Sequence, residues 1–547
     1  LCSKHSSLKF YFIWFVRVSF MFIEKAILAN QIKYIIMRKT MIFLILVLAG
    51  LVSFAQIPTI QWQKSYGGSQ YDFAYSLLQT PDGGYIVAGS TSSNNGDVNF
   101  NHGGSDFWVI RINALGDTLW QNTYGGSDDE VAMGLAIVSD GYVVVGYSLS
   151  NNGDVTGNHG SSDYWIIKIS NSGNLLWQRS YGGSSNDIPR AIQVVADGYV
   201  IAGTTNSTNG DVTNNHGNSD YWILKVDTAG NLQWQKTFGG TGGDEANALD
   251  KTSDGGFVIL GTSRSSNGDV TFNHGGADIW AVKINATGII QWQVSLGGSD
   301  QDYGYSIEET VSGDFILAGP SNSNDGDVSG NHGNLDYWVV KLSSTGVIQW
   351  QKSFGGSDNE TPVSVHETKT AFDGYIIAGE SYSNDGDVSG HHGTMPNYDY
   401  WVVKIDSAGN IQWEKSYGGS GNDFAYAAYF TYTGDYIVGG STMSSDGDVL
   451  FNHGNNDVWL IKLHLGLITE VEEKPTEEFS VYPNPTSGIV YFSGIDFGTD
   501  VQVFDITGKL LLTERGNVIN LTEYPDGLYF VRVTTNGQIF TAKVVKR

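Results

Sequence analysis

The residues best suited to chemistry recur at fixed intervals. Five positions after the first Gly of each Gly pair stands an acid: Asp72, Glu130, Asp187, Asp244, Asp302, Glu360 and Asp423. A Gly-Asp-Val turn supplies a second, at Asp97, Asp154, Asp211, Asp269, Asp327, Asp387 and Asp448. Five residues after that turn aspartate comes a histidine, at His102, His159, His216, His274, His332, His392 and His453. A third acid, Asp106, Asp163, Asp220, Asp278, Asp336, Asp399 or Asp457, opens the apolar run that follows. Carboxylates and backbone carbonyls on a Gly-bent loop are hard oxygen donors that suit Ca²⁺, so the second and third sets are candidate metal ligands. Against this, the loops lack EF-hand spacing, and Asn-Gly-Asp and Asn-His-Gly form turns by side-chain hydrogen bonding to their own backbone, with the His packed beneath. Both readings stand at this point. Zinc is disfavoured, because each repeat offers one His and no Cys.

These positions are carried by a repeat organised around WQKSYGG at 62–68. Its tryptophan returns as Trp120, Trp177, Trp234, Trp292, Trp350 and Trp413, at steps of 58, 57, 57, 58, 58 and 63 residues. A period of that length is one supersecondary unit. In the first unit, half-apolar 73–78, the turn Pro81-Asp82-Gly83-Gly84, apolar 85–88, polar 90–105, apolar 106–112 and the turn around Gly116 lead back to Trp120. Short β-branched and aromatic runs between Gly, Asp and Asn read as four strands, with no amphipathic helix. Seven such units predict an all-β, seven-bladed β-propeller. The ends are offset: the chain opens on a WQKSYGG strand with no preceding partner and closes on DVWLIK at 457–462 with no WQ strand after it. Ring closure resolves the mismatch if 60–66 forms the outer strand of the last blade. A linear solenoid would need capping repeats, and none are visible. The long loops and the Gly-pair links then share one face, and the tight turns share the other. A basic residue inside each third strand (Arg111, Lys168, Lys225, Lys283, Lys341, Lys404, Lys462) is expensive unless paired, so it is expected to meet a carboxylate of its own or the adjacent blade.

The phrases YGGSxxD, DGGYIVAGST and DYWVVKL resemble the seven-bladed SBBP-type repeats of secreted bacterial proteins, over residues 58–463. That resemblance implies the fold and not an activity. Upstream, 1–36 begins with Leu1 and is read as a non-native extension, with a membrane-anchoring segment as the alternative. Residues 37–55, a basic start, an apolar core and Ser53-Phe54-Ala55, have the form of a signal peptide. The propeller is assigned to 56–464 and an acidic linker to 465–478. Residues 479–547 alternate in short strands as a small Ig-like β-sandwich. They resemble the type A C-terminal sorting domain of the type IX secretion system of Bacteroidetes, through YPNPTSG, DITGK and YPDGLYFVRV. The motif positions are Pro483, Asn484, Pro485, Gly488, Gly508, Lys509, Gly527 and Tyr529. The resemblance implies the type IX machinery as a partner, passage through the outer membrane of a Gram-negative cell, and release or attachment at its surface.

The first 55 residues hold seven of the 30 basic and one of the 57 acidic residues, leaving 23 against 56 and a net charge of −33. Such a surface repels nucleic acid. Cys2 is the only cysteine, so core burial must hold a secreted fold together. No membrane span is expected in the mature chain, and a monomer is. Near-perfect repetition argues against a single active site, and no nucleophile elbow, phosphate loop or Cys-His pair appears. The symmetry breaks in the sixth unit, five residues longer than its neighbours, which brings in His366, His391 and Met395 beside His392 as candidate ligand-binding residues. Insertions in repeats map to loops; neutral drift in a tolerated loop is the alternative. The expected function is a surface or secreted binding module for a glycan or protein, with no cofactor unless Ca²⁺. The rival is a carbohydrate-active enzyme using loop-face carboxylates.

Overall fold

Each unit folds as four antiparallel strands, and the seventh is completed from the opposite end of the chain. The structure, a computed structural model, describes residues 57–368, 374–393, 397–465, 480–493, 500–506, 509–535 and 538–547. The upstream extension, the signal peptide, linker residues 466–478, Met395 and Gly508 lie outside the described residues. The chain divides into two compact units after Leu465.

The first strands are β1 (Thr59–Tyr66), β2 (Asp72–Gln79), β3 (Tyr85–Thr91), β4 (Asp106–Ile112) and β5 (Thr118–Tyr124). The first blade runs β2-β3-β4-β5 in space, and five further sheets repeat that order. The tight β2–β3 and β4–β5 turns need a residue in the left-handed region, met by Gly83 at φ 85° and Gly116 at φ 82°. The last blade contains Asp423–Phe430, Tyr436–Thr442 and Asp457–His464, and its fourth strand is β1. Tyr66 pairs with Val458, Ser65 with Trp459 and Trp62 with Lys462, which closes the ring as the offset ends predict.

Each blade is covered on both faces by neighbours, so β3 and β4 are buried at every position. Aromatic pairs join the blades. The Tyr164 ring lies 4.6 Å from that of Trp222 in the next blade, and its hydroxyl donates to the Trp222 carbonyl at 3.1 Å. Tyr221 with Trp280, Tyr337 with Trp401 and Tyr400 with Trp459 repeat the contact. The WQ tryptophans sit on the outer strands. Trp62 is half-buried, its indole N–H donating to the Ala114 carbonyl of the next blade at 3.2 Å. The third-strand cations meet carboxylates in the tight turns of their own blades: Arg111 with Asp82, Lys168 with Asp140 at 2.8 Å, Lys225 with Asp197 at 2.8 Å, Lys283 with Asp254 at 3.0 Å and Lys462 with Asp435 at 3.2 Å. In the fifth blade Lys341 donates instead to the Thr310 hydroxyl at 2.9 Å. That blade also has a short inner strand, Ser306–Glu309, because Pro320 of its second strand has no N–H to give the ladder.

The C-terminal unit packs a three-stranded sheet and a four-stranded sheet around Val490, Phe492, Val501, Val503, Ile519 and Val544. Its opening motif is fastened to its last strand: the Asn484 side chain accepts from Val545 N at 2.9 Å and donates to Lys543 O at 2.6 Å, beside Pro483 and Pro485. A Cβ on Gly488 would lie 2.6 Å from the Thr522 hydroxyl. Lys509 N caps the Asp505 carboxylate at 3.0 Å. Gly527 opens a nine-residue strand on which the Tyr529 hydroxyl donates to the Pro525 carbonyl.

The two tryptophan layers differ in burial, and that difference is measurable. Trp222→Ala should destabilise the propeller by about 3–5 kcal/mol, and Trp234→Ala on the outer strand by roughly 1–2 kcal/mol, in urea unfolding. Equal losses would contradict the layering.

Candidate functional site

On the long-loop face the repeated acids are largely consumed by the fold. Asp72 is fully buried and accepts from Gly68 N at 2.7 Å, from the Ser93 hydroxyl at 2.8 Å and from the Thr91 hydroxyl. Asp106 Oδ2 accepts from His102 N at 2.8 Å and lies 2.6 Å from His102 Nδ1. The far nitrogen of the same ring, Nε2, lies 3.7 Å from Asp154 of the next unit. The bridge is made at six of the seven interfaces and crosses the ring closure, where His453 Nε2 is 3.7 Å from Asp97. Asp97 also accepts from Gly67 N at 3.1 Å. Gly67 leaves no room for a side chain: a Cβ there would lie 2.6 Å from Asp457 and 2.8 Å from Asp72.

The candidate metal ligands therefore converge across blades, through a histidine, and the hydrogen-bonding reading of the loops describes their contacts. The strand aspartates Asp106, Asp163, Asp220, Asp278, Asp336, Asp399 and Asp457 each keep one buried oxygen without a hydrogen bond. The second-set aspartates, Asp97 to Asp448, cap Gly amides. Among the described residues no group of three or more His, Cys, Asp or Glu is placed to hold a metal ion.

Two of the sixth unit's histidines meet at one carboxylate and the third lies apart: His391 Nδ1 is 3.6 Å from the Asp399 oxygen that His392 also approaches, whereas His366 is on another element. His392 plays the common role, 2.9 Å from Asp399 and 3.7 Å from Asp448. His391 takes the place of the Asn found in the other units. Its side chain is 4 % exposed, and burial holds its pKa below the usual histidine value, favouring the neutral ring. His366 lies toward the other end of the ring, on the inner strand Glu360–Glu367.

That inner strand lines a central channel with a cavity of about 700 Å³. Six of the seven inner strands bulge at one position, and the fifth is irregular there. The residue at that position changes from blade to blade: Tyr75, Met133, Arg190, Asn247, Tyr305, Val363 and Tyr426. Three residues further on come Leu78, Ala136, Gln193, Asp250, Glu308, His366 and Tyr429. The polar members of this lower level are linked around the ring. Gln193 Nε2 donates to Asp250 at 3.2 Å, Asp250 accepts from Glu309 N at 2.8 Å, and Glu308 accepts from Glu367 N at 2.9 Å. Glu308 lies 3.0 Å from His366 Nδ1, and the His366 ring lies 4.4 Å from that of Tyr429. Burial, reinforced by the Glu308 charge, pushes the Asp250 carboxyl up to about 6.

Nearer the loop face, Glu380 stands where the other blades carry Ser90, Tyr147, Thr204, Thr262, Pro320 and Ser441. Burial pushes this half-buried carboxyl up to about 8. Beside it in the sixth blade the Tyr382 and Tyr398 rings stack at 3.3 Å, with Phe424 5.4 Å from Tyr398. The sequence reading reached His366 but not Arg190, Asp250, Glu308 or Glu380. The available signal was that inner-strand positions such as 75 and 78 of the first unit change from unit to unit while the loop positions repeat.

Residues 480–547 match the family described as the secretion system C-terminal sorting domain. The regulatory protein FlaEY of Caulobacter vibrioides is 31% identical over 120 residues, which is 19% of this chain and only 12% of that protein's length. Among solved structures, the WD40 domain of Neurospora crassa Pan2 aligns with a TM-score of 0.41 at 11% identity, over 74% of this chain and 96% of that one. The plexin A4 extracellular region aligns at 0.44 and 7% identity, over 88% and 61%. The propeller rests on its own strand order and closure. No helix among the described residues is long and apolar enough to cross a membrane.

The buried acids set a pH dependence of stability. Burial pushes Asp423 up to about 7, Asp399 to about 6 and Glu380 to about 8. The folded protein therefore holds protons that the unfolded chain releases, and their contribution is full below about pH 4 and lost as pH rises through 6–8. Asp254, held down to about 2 by Thr252, the Gly256 amide and Lys283, acts oppositely and loses its contribution only below about pH 4. The melting temperature in EDTA should be higher at pH 5 than at pH 8, and Glu380→Gln should flatten the fall between pH 6 and 8. A melting temperature that rises from pH 5 to 8 would contradict this.

Proposed function

We propose that this chain is an exported binding module. Its propeller takes a ligand in the central channel, and its C-terminal unit directs passage through the type IX machinery to the cell surface or the medium. One observation carries the reading of the propeller: the channel wall is where seven near-identical units present different side chains, whereas the loop face repeats and is occupied by its own hydrogen bonds. A ligand small against the ring needs a singular site, and repetition cannot supply one. The partner class remains an extracellular glycan or protein, and Ca²⁺ stays a proposal for the loops.

A second reading is favoured by Asp250 beside Glu308. A carboxyl pushed up to about 6 next to a carboxylate that accepts an amide and faces an imidazole is the pairing of acid and base found in glycoside hydrolysis. A polysaccharide panel separates the two. Binding weakened by Tyr426→Ala, without release of reducing ends, supports the module. Hydrolysis abolished by Asp250→Asn supports the enzyme. For export, deletion of 480–547 should leave the propeller in the periplasm. Unchanged arrival at the surface would remove that role from the tail.

A further inference from the structure

The two levels of the channel differ in chemistry as well as in identity. The upper level, at the bulge, is rich in donors. Arg190 is exposed into the cavity, and its one recorded polar contact is Met133 Sδ at 3.5 Å from Nη1. The other propeller arginines are engaged: Arg111 with Asp82, Arg179 over the Trp177 ring, and Arg264 with Glu245 at 4.0 Å. Among the described residues no carboxylate pairs with Arg190, in a chain whose acids far outnumber its bases. Tyr75 and Tyr426 share this level with ring centroids 5.0 Å apart, and Asn247 Nδ2 is committed to Gly304 O at 2.9 Å. Burial pushes the Tyr75 phenol up to about 12 and Tyr426 higher still, so both remain hydroxyl donors at neutral pH. The lower level, three residues along the strand and so about 10 Å away, is rich in acceptors: Gln193, Asp250 and Glu308.

From this arrangement, and resting on the reading of the channel as a binding site, we infer that the ligand is a sugar acid, a hexuronate residue of an oligosaccharide. Its carboxylate is taken by Arg190 with the phenols of Tyr75 and Tyr426, and its hydroxyls donate to Asp250 and Glu308. A guanidinium with no protein counter-ion binds a carboxylate through two parallel N–H bonds, which fixes orientation as well as charge. The aromatic pair offers an apolar face to a sugar ring, and the cavity, about 700 Å³, is within the range of small-molecule sites. The same carboxylate chemistry occurs at a peptide C-terminus, but a peptide has few donors to give the lower level.

The test is calorimetric titration of the full chain with glucuronate and galacturonate oligosaccharides, their neutral glucose and galactose counterparts, and a peptide with a free C-terminal carboxylate. The expected result is binding of an acidic oligosaccharide that weakens with salt. Arg190→Ala should lower its affinity on the order of 10- to 100-fold, while Arg190→Lys, a point charge without the fork, should lower it less. Both variants should keep the parent melting temperature, since the side chain is exposed. Binding of the neutral sugars alone, of the peptide alone, or of no probe overturns the sugar-acid inference. Neutral binding lost in Tyr426→Ala would still leave the channel reading standing. Acidic binding indifferent to Arg190→Ala and to Tyr426→Ala overturns the inference and the channel reading together.

Discussion

The antiparallel pairing of β1 with Asp457–His464 is the contact on which the remaining structure depends. Each blade can be buried on both faces only if the first and last blades also meet. The seam is made of backbone ladder and side chains together. Asp72 N donates to Asn456 O at 2.8 Å, Trp459 Nε1 to Gln63 Oε1 at 3.1 Å, and the Tyr417 hydroxyl to Pro58 O at 3.4 Å. Here the chain joins its two ends with the same Trp–Gln contact that Trp108 makes with Gln121 inside the first blade. An open row would leave two sheet faces of apolar side chains in water, with no other element in the repeats to cover them.

Closure also completes a girdle of carboxylates and imidazoles. Every interface places one buried acid against the Gly-pair amides and another against a histidine that leans toward the next blade. Burying a carboxylate is costly unless hydrogen bonds surround it, and here hydroxyls, amides and rings do so on most sides. The girdle ties each loop to its neighbour, so the loop face acts as a clasp. That leaves the inner strands as the surface freest to vary. Bulges in six of them turn one extra residue into the channel, and at that position the units have diverged into phenol, thioether, guanidinium, amide and alkyl groups.

The fold was legible because its determinants are local and repeated: WQKSYGG, the Asp-Gly turns and the DYWVVKL strands each occur once per unit, and the mismatch of the ends encodes the closure. Among the described residues, the cation in the third strand was legible in five of the seven blades, where a turn acid such as Asp140, Asp197 or Asp254 supplies the partner, whereas Lys341 donates to a threonine hydroxyl and Lys404 to the Ile405 carbonyl and Gln412. The site was legible only in part. His366 stood out as a departure from the pattern, but its partner Glu308 is 58 residues away on the preceding blade, a distance that no local pattern spans. The aspartates of the loops were visible as a period, but their period says nothing of which blade they face. Arg190 and Glu380 were hidden for another reason: each occupies a strand position where small or apolar residues also fit, so neither hydrophobic alternation nor turn chemistry marks it.

Circular assembly is tested most directly at the edge of the seam. Thr59 pairs with His464, both exposed, and the only native cysteine is Cys2. Thr59→Cys with His464→Cys, made in a chain with Cys2→Ser, should oxidise to one disulfide within the chain while the far-ultraviolet circular dichroism is unchanged. Thiols that stay free, or cross-links found only between chains, would contradict the closed ring.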